Sequence, residues 1–192
     1  MKKTIFSIFL ALLPLLASAD PVEIDDIWYN LQDTKTAEVT KNPSDPQYEG
    51  SYSGKVTIPE KVTYQGVEYS VESIGIYAFQ GCSGLTSVII PNSVTFIGYN
   101  AFSGCSGLTS VTIPASVTHI DDDFNNCSSL TSISVDEGNT DYKSVDGVLM
   151  SKDGTILFTY PGGKTETAYT IPDGVTTIDY SAFYGCNGLA LA

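Results

Sequence analysis

Arginine is absent from the chain, histidine and tryptophan occur once each, and nine lysines face 22 carboxylates across 192 residues, for a formal charge of −13. A surface of that sign repels phosphate backbones and anionic lipid, which argues against nucleic-acid binding and peripheral membrane binding. Without arginine there is no bidentate fork for phosphate or carboxylate ligands. Charged residues make up only 16% of the chain and apolar ones 42%, a balance too apolar for disorder. Long apolar runs are too scarce for an integral membrane protein, and no integral membrane span is expected. The length allows one domain with a real core.

The apolar run near the N-terminus reads as an address. Lys2 and Lys3 precede Ile5 to Leu16, and Ala17-Ser18-Ala19 supplies the small side chains of a signal-peptidase site, with cleavage before Asp20. Residues 1–19 are therefore expected to be a secretory signal peptide. A membrane anchor is the weaker alternative, because the run is short and contains Pro14. Cleavage leaves seven lysines against 22 carboxylates, a charge of −15. An extracellular or cell-surface location follows, with the periplasm as the alternative.

What is abundant is repetition. Ile74-Gly75-Ile76-Tyr77-Ala78-Phe79-Gln80-Gly81-Cys82-Ser83-Gly84-Leu85-Thr86-Ser87-Val88 recurs 23 residues later as Ile97 to Val111. A third copy begins at Ile120 with one residue deleted (Phe124, Cys127, Leu130, Ile133), and a fourth at Ile178 (Phe183, Cys186, Leu189). In all four, phenylalanine leads cysteine by three positions and cysteine leads leucine by three. Such a register predicts a solenoid, in which each copy is a coil that buries its apolar side chains only by stacking on its neighbours. Leu85-x-x-Val88-x-Ile90 alternates as a strand that Pro91 ends, and Val94 and Ile97 mark a second short extended piece. Tyr99 to Cys105 reads as a helical turn laying Phe102 and Cys105 inward. Neighbouring strands should lie parallel, roughly 4.8 Å apart.

The phrase Ile-Pro-x-x-Val-Thr-x-Ile-Gly-x-x-Ala-Phe-x-Gly-Cys-x-x-Leu-Thr-Ser-Val resembles the BspA-type leucine-rich repeat of bacterial surface proteins, over residues 57–134 and again 170–189. The resemblance implies an exported, non-catalytic protein of adhesin or host-interaction type, some relatives of which bind matrix or plasma glycoproteins.

The resulting division is a signal peptide (1–19), an N-terminal β cap (20–56), leucine-rich repeats (57–134), an inserted β-hairpin element (135–169) and a final, incomplete repeat (170–192). The fold class is a leucine-rich repeat solenoid, mostly β with short helical turns, a parallel strand ladder, an N-terminal hairpin cap and inserted hairpins. Ile27 to Leu31 and Ala37 to Thr40 form the expected cap hairpin, Asn42 to Pro46 a loop, and Val62 to Val71 a hairpin turning at Gln65-Gly66. Asp146-Gly147 and Lys152-Asp153-Gly154 are the expected turns of the insert. After Leu189 the repeat calls for a further strand, yet the sequence stops at Ala192, so truncation or pairing of a bare edge is expected.

Few residues suggest chemistry. The four cysteines of an exported chain suggest disulfides, but each holds the same coil position and points the same way, which favours buried thiols, and their spacing matches no zinc pattern. His119 aligns with Phe96 at an outward position. Asp121-Asp122-Asp123 is an acidic turn lacking the alternating ligands and glycine of a calcium loop; Asp136-Glu137-Gly138-Asn139 and Asp146 to Asp153 read the same way. Nothing in the spacing gathers an acid pair for glycoside hydrolysis. No catalytic residue, metal or cofactor is expected.

Surfaces remain. One stripe of outward strand positions is Ser87, Ile89, Ser110, Thr112, Ser132 and Ser134, flanked by Thr57 and Thr170. Serine and threonine also fit strand surfaces whatever their function. A second, aromatic stripe holds Tyr77, Tyr99, Phe96, Tyr180 and Tyr184 on the turn side. Either suits a protein or glycan ligand, and the family resemblance points to a host extracellular protein. The alternatives are a polysaccharide-active β-helix, for which the missing arginine is unfavourable, and an assembly unit that self-associates at its C-terminal edge.

Overall fold

The computed structural model describes residues 20–44, 50–121 and 124–190. The expected signal peptide lies outside the described residues, as do Asp45 and Pro46 of the expected loop, Asp122 and Asp123, and the last two residues.

Strands β1 (Val22–Ile24), β2 (Ile27–Leu31) and β3 (Thr36–Thr40) form an antiparallel meander, one strand more than the expected hairpin. The added turn is made by Asp25 and Asp26, both in the left-handed region (φ 50° and 64°) that aspartate tolerates. Alternation buries Ile27 and Tyr29 on β2 and Ala37 and Val39 on β3. Tyr52 fastens this cap to the coils. Its hydroxyl donates to Thr40 O at 2.7 Å and accepts from Trp28 N at 3.0 Å, while its ring lies 4.7 Å from Phe79.

The coils follow as β4 (Gly54–Thr57), β5 (Lys61–Tyr64), β6 (Val67–Ile74), β7 (Leu85–Ile89), β8 (Phe96–Ile97), β9 (Ser110–Ile113), β10 (His119–Ile120) and β11 (Ser132–Val135). One wall carries the Leu-x-x-Val strands, with parallel pairs β4/β7 and β9/β11. The other carries β3, β6, β8 and β10, also parallel, with Ile74, Ile97 and Ile120 in register. The β5/β6 hairpin turns at Gln65 and Gly66 (φ 49° and 80°), and β6 continues past it into the coil wall, so the hairpin is an extension of the sheet.

Between the walls the expected column forms. The rings of Phe79, Phe102 and Phe124 stack at centroid spacings of 5.1 and 5.5 Å, with planes within 5° of parallel. Beside it, Cys105 and Cys127 donate their thiols to the carbonyls of Phe79 and Phe102 in the preceding coil, at 3.1 and 3.2 Å. No cysteine is in a disulfide. The link from Gly98 to Leu108 closes through i+3 to i bonds but is not a helix, because Asn100 (φ 54°) and Gly104 (φ 76°) interrupt it in the left-handed region. The expected helical turns are therefore chained tight turns. At Gly107 the coils approach so closely that a Cβ would meet Ser83 O at 2.5 Å.

The insert holds β12 (Tyr142–Val145), β13 (Val148–Ser151) and β14 (Ile156–Thr159), antiparallel in sequence, with Asp146-Gly147 as the first turn (φ 52° and 81°). Its third strand then pairs parallel with β15 (Thr177–Ile178), placing Leu157 opposite Ile178. Tyr160 N donates to Ala182 O at 2.7 Å, as Phe79 N does to Ala101 O, and Cys186 Sγ donates to Tyr160 O at 3.3 Å. Tyr160 thus holds a phenylalanine position, and the insert ends as a coil in its own right. Phe183 meets Tyr160 at 5.6 Å, tilted by 30°, so the column bends here. The core divides into two apolar clusters, and β13 is buried on both faces, with Leu149 in one and Met150 in the other. In the last coil Ile171 and Ile178 are 41% and 45% exposed, where the equivalent Ile113 and Ile97 are fully buried.

Candidate functional site: a strand face and a tyrosine cleft

Alternation on the first wall turns every second side chain outward. Thr57 lies beside Ile89 and Lys55 beside Ser87; Ser110 lies beside Ser132 and Thr112 beside Ser134. Thr57, Ile89, Ser110, Thr112 and Ser134 are exposed, Ser87 and Ser132 half-buried. The two pairs do not join into one ladder. Chains packed tightly at Gly107 splay beyond it, and a groove of ≈340 Å³ opens between β7 and β9, walled by Ser87, Ile89, Ser110 and Thr112, with Asn92 and Asp136 at its end. Ser132 lies away from that groove, under the insert's turn, where Gly147 packs against it and Ile133 N donates to Gly147 O. Thr170 is exposed outside any strand. Four residues of the stripe line the groove.

The aromatic residues do not form one column. Tyr99 and Tyr180 hold the same coil position as Ile76, Tyr77 holds that of Asn100, and Tyr184 that of Ser103. Tyr77 and Tyr99 meet edge to face at 5.9 Å. Tyr99, Tyr180 and Tyr184 converge with Asn100, Asn125 and Asn126 on a cleft of ≈260 Å³. Their exposures are 45%, 103% and 60%. Sequence reasoning missed the asparagines. The signal was present: Asn126 replaces the repeat's glycine before cysteine and takes its left-handed conformation (φ 59°). Phe96 belongs elsewhere, stacked at 5.2 Å on His119.

His119 is exposed, and its Nε2 lies 2.9 Å from Asp121 Oδ1. Among the described residues no hydroxyl or thiol is hydrogen-bonded to it, so this pair does not activate a nucleophile in the manner of a triad. The acidic turns are used locally: Asp136 accepts from Gly138 N, and Asp153 from Ser151 Oγ, Thr155 N and Thr155 Oγ1. Those bonds, the Ser151 hydroxyl first, hold the Asp153 carboxyl down to about 2. Asp122 and Asp123 lie outside the described residues. Among the described residues no three His, Cys, Asp or Glu side chains gather in a metal-binding group. Two of the thiols are held in the protonated form: hydrogen bonding with Cys127, then burial, raises Cys105 far above the ordinary range, and burial pushes Cys186 up to about 11.

The coil spacing, the stacked phenylalanines and the thiol-to-carbonyl bonds describe one repeat, and the family model for the BspA type leucine rich repeat region matches six copies of it over residues 55–145 and 162–190, more than half of the chain. The chain belongs to the BspA-type leucine-rich repeat family. A leucine-rich repeat protein from Bacteroides ovatus is similar at 32% identity, with a TM-score of 0.58, covering 88% of this chain and 39% of that one. The pneumococcal vaccine antigen PcpA matches at 20% identity and a TM-score of 0.46, covering 85% of this chain and 62% of that one. A leucine rich cell surface protein from Faecalibacterium prausnitzii matches at 22% identity and a TM-score of 0.36, over 90% and 70% of the two chains. This chain therefore spans less than two thirds of the length of the first two. A comparison with curated proteins matches none. No helix among the described residues is long and apolar enough to cross a membrane.

Proposed function

We propose that this BspA-type repeat protein is an exported, non-catalytic binding protein that holds a protein ligand against the strand face of its solenoid. The observation that carries this reading is the groove between β7 and β9, where Ile89, 44% exposed, stands among the hydroxyls of Ser87, Ser110 and Thr112. An exposed isoleucine ringed by small uncharged groups offers apolar area at its centre and hydrogen bonds at its rim, the composition of a protein contact. Export rests on the Lys2-Lys3 leader with its Ala17-Ser18-Ala19 site and on the family's association with cell surfaces. The reading leaves catalysis out because, among the described residues, His119 is hydrogen-bonded to no nucleophile.

The test is binding of the purified protein to immobilised extracellular-matrix and plasma glycoproteins by surface plasmon resonance. Ile89→Lys and Thr112→Lys replace exposed side chains and leave the fold intact, and each is expected to weaken binding by about tenfold or more. Retained affinity in the double variant would overturn the strand-face assignment.

A further inference from the structure

The lengths of successive coils make a site on another edge of the solenoid. From the second-wall aliphatic residue to the aromatic column is five residues in the coils of Ile97–Phe102 and Ile178–Phe183, but four at Ile120–Phe124 and three at Leu157–Tyr160. Ile97 lies beside Ile120 and Leu157 beside Ile178, with β13 on the other edge of β14, so both short links fall between the full-length links that carry Tyr99 and Tyr180. The turn edge is consequently notched, and Tyr99 and Tyr180, the same coil position on either side, become its walls.

We propose that this notch binds a neutral carbohydrate, a short saccharide lying between Tyr99 and Tyr180 against Tyr184. The three phenol rings supply flat apolar faces for sugar C–H groups, and full exposure of Tyr180 has no packing reason. Asn100 and Asn126 each bring a donor and an acceptor side by side, the pairing that a hydroxyl, itself both, satisfies. In a chain of net charge −13 an acidic saccharide is repelled. An apolar ligand would strip water from the Asn100 and Asn126 carboxamides without replacing their hydrogen bonds. The ≈260 Å³ of the cleft is small for a drug-sized pocket, and a second recess of ≈180 Å³ shares Tyr99, bordered by Asp121 and Asp179, whose carboxylates accept from hydroxyls. The site is independent of the strand face.

The test is an array of neutral oligosaccharides (α- and β-glucans, mannan, xylan and galactan oligomers) probed with the purified protein, followed by calorimetric titration of any oligosaccharide retained. Tyr180→Ala with Tyr184→Ala is expected to lower affinity by about tenfold or more with the melting temperature unchanged, since both rings are exposed. Tyr180→Trp is expected to retain binding, and Ile89→Lys with Thr112→Lys to leave it unaltered. Binding of no neutral glycan, of acidic glycans alone, or affinity unchanged in the double tyrosine variant overturns the proposal. Loss of a protein ligand in Tyr180→Ala, with no glycan retained, likewise overturns it and assigns the cleft to protein recognition.

Discussion

Asn139 shows how one side chain holds two coils in register. It is 1% exposed, its amide donates to Pro114 O and Val117 O at 2.8 Å each, and its oxygen accepts from Asp141 N and Tyr142 N at 2.9 and 2.7 Å. Asn139→Ala strands four backbone groups, and chemical denaturation should show a loss of about 3 kcal/mol or more. The thiols give a second prediction at this scale. In the folded chain Cys186 keeps its proton to about pH 11, against an ordinary value of 9.0, while the unfolded chain releases it near pH 9. The unfolded state therefore binds fewer protons in that window, and stability, fully present below pH 9, falls as pH rises from 9 to 11. The urea midpoint should decline across that range, and Cys186→Ala should flatten the decline without abolishing it, because Cys105 is shifted in the same direction.

Among the elements, β13 is the joint of the molecule. Its three buried residues serve both apolar clusters, Leu149 facing the phenylalanine column and Val148 and Met150 the cluster around Tyr160. Leu149→Ala removes a fully buried side chain and should cost about 2–5 kcal/mol. Because β13 belongs to both clusters, Trp28 fluorescence in the cap and far-UV circular dichroism should shift together in urea. A Trp28 transition that stays in place while the dichroism moves would show that the clusters unfold separately.

In the whole molecule the coils do not cover one another equally. Interior coils bury both faces, whereas the coil of Ile171 and Ile178 leaves those residues more than two-fifths exposed. A coil of the same repeat fits that face, whether it follows in the same protein or comes from a second copy of the chain. Light scattering at increasing concentration is expected to show self-association, and Ile171→Asp with Ile178→Asp to abolish it. A wild-type mass fixed at one chain throughout excludes this mode of assembly.

The sequence by itself determined the coil: a 23-residue period, shortened by one residue in the third copy, fixes which side chains recur at the same place, and stacking must then align Phe79, Phe102 and Phe124 and bury the cysteines beside them. It also placed His119 opposite Phe96, since register in a parallel wall follows from the repeat count. What it left undecided lies where the period breaks. That β14 would return to the wall as a coil, with Tyr160 in a phenylalanine position, depends on pairing with β15, 21 residues away in register, and no local pattern encodes that partner. The groove and the notch are likewise differences between neighbouring coils, a splay beyond Gly107 and two shortened turns, and a difference between neighbours exists only once stacking has set them side by side.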